Sequence, residues 1–116
     1  MGSINFAAGE TRVRARISML ATTEGGRTSL IVGPTSYRPN HNFFGPENRD
    51  MAIGLIDLLP GETLNPDEIR VLDLTFITWP EGELYPGRGW LIQEGARLVG
   101  RGEVIELLSS SGHAPP

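Results

Sequence analysis

The stretch that most constrains the fold runs from Trp90 to Leu107. Apolar and polar residues alternate there, the alternation breaks at Glu94-Gly95-Ala96-Arg97, and then it resumes. Successive side chains of a strand point to opposite faces, so this pattern predicts a hairpin with one apolar face and a charged turn. Thr11 to Ala21 alternates as cleanly: Val13, Ala15, Ile17 and Met19 fall on one side, Arg12, Arg14, Arg16 and Ser18 on the other.

The rest of the chain punctuates in the same way. Thr22 to Thr28 contains Gly25-Gly26 and predicts a turn folding two strands back on each other, with Ser29 to Val32 as the returning strand. Ser36 to Phe44 interleaves aromatics with Arg38, Asn40 and Asn42, and Pro39, having no amide donor, predicts an edge or a bulge. Met51 to Leu59 is apolar enough for a buried strand, with a short helical turn as the alternative. Ile69 to Trp79 is the longest strand candidate; its apolar residues on both faces predict a central strand or one covered on both sides. Pro80 to Gly89 is an excursion rich in Gly, Pro and Glu, a candidate interaction loop. Residues 1–10 are expected to be a flexible lead-in and 109–116 a flexible tail, leaving one domain over 11–108. About six strands separated by turns predict a small antiparallel barrel, closed or partly closed. Fifteen Gly and nine Pro in 116 residues agree with many turns and little helix.

Several chemistries are excluded or left without support. All ten basic residues are Arg, so the Lys-bearing phosphate loop of nucleotide triphosphatases cannot exist. Cysteine is absent, which removes disulfides, thiol nucleophiles and thiolate metal sites and fits a cytoplasmic setting. His41 and His113 lie far apart with no zinc-ligand spacing, so no metal site or cofactor is expected. No apolar run approaches the roughly 18–20 residues of a membrane helix, and the N-terminus lacks a signal-peptide pattern. Carboxylates are scattered singly, and a non-enzymatic protein is the expectation.

Binding chemistry is better represented. Arg12, Arg14 and Arg16 predict a row of guanidinium groups on one strand face, about 7 Å apart. Such a row reads phosphates, or it is a solvated face paired with carboxylates of a neighbouring strand. Arg27 and Arg97 sit at turns, each following a Gly-Gly or Gly-Ala pair, where backbone amides and a guanidinium can meet a phosphate together. Alternatively each folds over its own hairpin onto Glu24 or Glu94. Arg38, between Tyr37 and Pro39, offers another anchor. The net charge of −4 counts against strong nonspecific nucleic-acid binding but leaves room for a local Arg patch.

Three segments in order, Glu24-Gly25-Gly26-Arg27, then Tyr37-Arg38-Pro39-Asn40-His41-Asn42-Phe43, then Gly89 to Ile105, together resemble the C-terminal (third) domain of elongation factor Tu. That family shows EGGR, GYRPQFYF and a closing GLRFAIREGGRTVGAGVV. The resemblance spans residues 12–108 and implies a stand-alone, six-stranded antiparallel Greek-key barrel. It implies RNA (tRNA-like) contacts at Arg27, at Asn40 (Gln in the family) and at Glu94 and Gly95. A translation-related protein is the alternative partner, engaged through the aromatic strand and the loop from Pro80 to Gly89. The sequence departs from the family at Gly45-Pro46-Glu47-Asn48-Arg49-Asp50, which stands where the family has RTTDVTG. A GTPase domain is not represented, so no GTP is expected.

Overall fold

The computed structural model describes residues 4–110. The strands are β1 (Phe6–Met19), β2 (Ile31–Val32), β3 (Thr35–Tyr37), β4 (Asn40–Asn42), β5 (Ala52–Leu58), β6 (Thr63–Leu64), β7 (Ile69–Pro80), β8 (Gly89–Glu94) and β9 (Arg97–Ser110). A single 3-10 turn, Thr22–Glu24, is the one helical element among the described residues. β3 and β4 are two halves of one strand, both laid antiparallel along β5 and interrupted at Arg38-Pro39, where the prolyl ring forbids continuous pairing. Counted so, six strands follow one another around the barrel: β3/β4, β8, β9, β1, β7 and β5. Pairing of β5 with β7 closes the ring. The connections from β1 to β3/β4 and from β7 to β8 join strands that are not neighbours, the Greek-key feature.

Alternation dictates what goes inside. Val13, Ala15, Ile17 and Met19 are all buried, as their period of two requires. They meet Leu72, Leu74 and Phe76 from β7, Ile92 from β8 and Val99 and Val104 from β9. Toward one end the core turns aromatic: the Phe43 and Trp90 rings stack at 5.3 Å, and Phe76 meets Trp90 edge-on at 5.7 Å. Gly102 makes room for this, because a β-carbon there would overlap the Trp90 ring.

Two expectations change, and two alternatives are decided. β7 is central in the sheet but covered on one face only: Ile69 is 68% and Val71 52% exposed. The turn containing Gly25-Gly26 does not return β2 onto β1; β2 pairs instead with β6 in a separate two-stranded ribbon. The first strand begins at Phe6 and the last runs to Ser110, so the lead-in and tail are shorter than the sequence suggested. Met51 to Leu59 forms strand β5, and the helical alternative falls. The remainder of the expected tail, including His113, lies outside the described residues.

A candidate binding surface at the clasped turns

The turn Glu24-Gly25-Gly26-Arg27 is built by its own backbone. The amides of Glu24 and Gly26 donate to the Ala21 carbonyl at 2.9 and 3.0 Å, and Thr22 Oγ1 donates to the Arg27 carbonyl at 2.6 Å. Gly25 takes φ +93°, a region that favours glycine, and a β-carbon on Gly26 would collide with the Leu20 carbonyl. The second tetrad, Glu94-Gly95-Ala96-Arg97, joins β8 to β9 with Gly95 at φ +62°.

The two turns lie against each other. Arg27 Nη1 pairs with Glu94 Oε2, and Arg27 Nε donates to the Ser29 carbonyl at 3.2 Å. From the other side Arg97 Nε donates to the Gly25 carbonyl at 2.8 Å, while Nη2 reaches the Gly26 carbonyl. Tyr37 Oη donates to the same Glu94 oxygen at 2.6 Å, and the Arg27 guanidinium lies 5.5 Å from the centre of the Tyr37 ring. Burial raises the Tyr37 phenol above its ordinary value, and the bond to Glu94 adds to this because it favours the protonated hydroxyl. Asn40 Nδ2 reaches the Gly95 carbonyl at 3.5 Å. Arg27, Tyr37, Asn40, Glu94, Gly95 and Arg97 are thereby gathered at one place.

The geometry decides the alternatives posed for each arginine. Arg27 takes Glu94 of the other turn, and Arg97 serves backbone carbonyls of the first. Both guanidinium groups therefore hold the two turns together. The stripe is neutralised by its neighbours: Arg12 lies 3.6 Å from Asp73, Arg14 3.1 Å from Asp73 and 3.6 Å from Glu106, and Arg16 2.8 Å from Glu103. Strand register puts these charges opposite one another, with Arg14 facing Asp73 on β7 and Glu106 on β9, and Arg16 facing Glu103. Arg70 pairs with Glu62 at 3.2 Å and Arg88 with Glu83 at 2.8 Å, although the Arg88 Nε–H is not aimed at the oxygen.

Among the described residues, the side chains of Arg38, Arg49 and Arg101 take neither an ion-pair nor a hydrogen-bond partner, and all three residues are exposed. Arg38 was expected as an anchor. Arg49 was not, because it lies in a turn-rich segment where no periodicity singles out a residue. It lines a groove of about 710 Å³ with Asn40, Glu47, Asn48, Gly95 and Ala96. The loop from Pro80 to Gly89, the candidate interaction loop, is held against the barrel. Arg88 donates to the Phe43 carbonyl at 2.7 Å and lies over the Phe43 and Phe44 rings, which pins the loop to the aromatic strand.

Beneath the surface, His41 is fully buried. Trp90 Nε1 donates to its Nδ1 at 3.0 Å, and its Nε2 lies 3.2 Å from the Gly54 carbonyl. An indole nitrogen only donates, so Nδ1 accepts and the proton sits on Nε2: the imidazole is neutral. Burial pulls its pKa from the ordinary 6.5 down to about 4.

Fold and site together describe a small closed β-barrel with two arginine turns clasped at one end. No family model matches the chain. Elongation factor Tu 2 of Streptomyces avermitilis is 38% identical to it over 93 residues, which is 80% of this chain and 22% of that protein. The chain spans about a fifth of that relative's length, a domain-sized piece of elongation factor Tu, and the barrel is of the kind the C-terminal-domain resemblance implies.

Proposed function

We propose that the chain is a non-enzymatic, translation-related binding module whose ligand is RNA, taken at the end where the two turns meet. One observation carries the reading. The three separated segments that resemble elongation factor Tu converge on this end, through Arg27 on Glu94, Tyr37 on Glu94, Asn40 on Gly95 and Arg97 on Gly25. In this reading Arg27 and Arg97 shape the surface, and the unpartnered Arg38 supplies charge beside Asn40. Few free cations mean few phosphate contacts. Affinity for a tRNA or an RNA stem should then fall with salt at a log–log slope of about −1 to −2, far shallower than a five-arginine surface would give. A steep slope, or no binding at low salt, would remove the reading.

A second reading rests on a different face. Leu59 and Val71 are exposed and line one groove with Arg12, Arg14 and Asp73, and Ile69 continues the same face of β7. Exposed apolar residues beside neutralised charge suit a protein partner related to translation. Val71→Asp would abolish capture of such a partner and leave RNA binding untouched.

A further inference from the structure

Away from the clasped turns, exposed apolar side chains gather on the outer face of β5 and β7. Leu59, Ile69 and Val71 are each more than half exposed, and Leu59 and Val71 line one groove of about 410 Å³. The groove opens where the two strands part, because their pairing runs from Gly54–Phe76 to Ile56–Leu74 and goes no further. We infer that this face takes a second copy of the chain, in a twofold dimer that lays β1 of each copy over β5 of the other. The inference rests on the face of the second reading above, not on the partner proposed there, and is independent of RNA.

Three observations point this way. The first is the balance of charge. Three arginines (Arg12, Arg14 and Arg70) and three carboxylates (Asp57, Glu62 and Asp73) line the groove, so it is neutral while the chain carries −4. Two copies repel each other over the rest of their surfaces and least of all here. A strongly basic or acidic partner finds no excess charge to answer on this face, whereas a second copy brings the same balanced set.

The second is where the two signs lie. Arg14 stands beside Asp73 in the β1–β7 register, and Asp57 lies across the groove on the other flank of β7. Turning a copy about a twofold axis along β7 exchanges the flanks. Arg14 of each copy then faces Asp57 of the other, and Val71 meets its own counterpart. Among the described residues the Asp57 side chain takes the Ser36 hydroxyl and no cation, so it has an acceptor oxygen to give. Asp73 already answers two arginines, with Arg12 at 3.6 Å and Arg14 at 3.1 Å, so the arginine flank carries charge that one carboxylate does not cancel.

The third is the apolar seam. Along the same axis Ile69 and Val71 of one copy pack against Val71 and Leu59 of the other, with the two twisted sheets stacked about 10 Å apart. Burying these side chains removes from water apolar surface that packing within one chain leaves exposed. A face made by β1, β7 and β5 alone lies at the small end of stable interfaces. Association should accordingly be weak, with a Kd of about 1–100 μM.

The test is sedimentation velocity of the full chain without RNA, over a concentration series spanning about 1–500 μM. The wild type should pass from monomer to dimer across the series. Asp57→Arg sets Arg against Arg14 of the other copy, and Arg14→Asp sets Asp against Asp57, so each variant alone should weaken self-association at least about tenfold. An equimolar mixture of the two variants restores opposite charges at both contacts and should restore the dimer, which also shows that both variants fold. Val71→Asp should abolish association with no rescue by either variant. A monomer at every concentration overturns the inference and leaves the second reading standing. A dimer that none of the three variants weakens lies on another face and overturns it as well. If the single variants weaken the dimer and their mixture does not restore it, the arrangement of β1 over β5 is overturned.

Discussion

The chain carries the same four-residue pattern twice, and the two copies do different work. Glu24 turns back on its own segment, accepting from the Ala21 amide at 3.4 Å, whereas Glu94 reaches across to serve Arg27 and Tyr37. Arg27 meets a carboxylate and an aromatic face; Arg97 meets two peptide carbonyls. The difference follows from what lies beneath each turn. The first caps an irregular connection, so its charges find partners nearby or across a gap. The second ends a hairpin whose strand β8 is paired on both sides, so Glu94 projects at a fixed position over Tyr37. An identical motif thus describes a turn and leaves its role to the surroundings.

The largest expected effect falls in the barrel interior, away from both turns. His41 lies on β4 between Asn40 and Asn42 and is neutral when folded. Its folded value, about 4, lies below the ordinary 6.5, so the unfolded chain takes up the proton first. The stability it contributes is complete above pH 6.5 and is lost as pH falls from 6.5 to about 4, amounting to about 3 kcal/mol. Urea melts across that window should show the decline, and His41→Gln should flatten it.

Next in size is the contrast between the two glutamates. Glu94→Ala leaves Arg27 partly buried without its carboxylate and Tyr37 without its acceptor, and should cost about 2–3 kcal/mol. Glu24→Ala removes one long bond at an exposed turn and should cost less than about 1 kcal/mol. Chemical denaturation of the two variants separates them, and equal losses would refute the division of labour. Smallest of all, Arg16→Ala on the outer stripe should change stability by no more than about 0.5 kcal/mol, because the Arg16–Glu103 pair is half exposed to water. RNA affinity should not move either.

Much of this was legible in the chain. Period-two alternation identified the inward residues of β1 and the closing hairpin, because a strand with one buried face leaves that signature in every second residue. Pro39 marked the break between β3 and β4 for the same local reason. What failed was non-local. The apolar Val71 and Ile69 left a central strand and one covered on both sides as alternatives, because cover depends on which elements pack over β7 and nothing in the strand itself encodes that. Ile31 and Val32 pair with Thr63 and Leu64, a partner no turn signal announces. The clasp joins Arg27 to Glu94 across 67 residues, and patterns within one segment are silent about such contacts.

The central claim is that Arg27 and Arg97 build the surface and do not themselves meet a ligand. A double-mutant cycle on Arg27→Ala and Glu94→Ala, read by chemical denaturation without RNA, tests it most directly. A coupling of about 1–2 kcal/mol, with the salt slope for RNA unchanged in Arg27→Ala, is the predicted result. A coupling near zero, together with a shallower slope in Arg27→Ala, would place that guanidinium on the ligand and contradict the account.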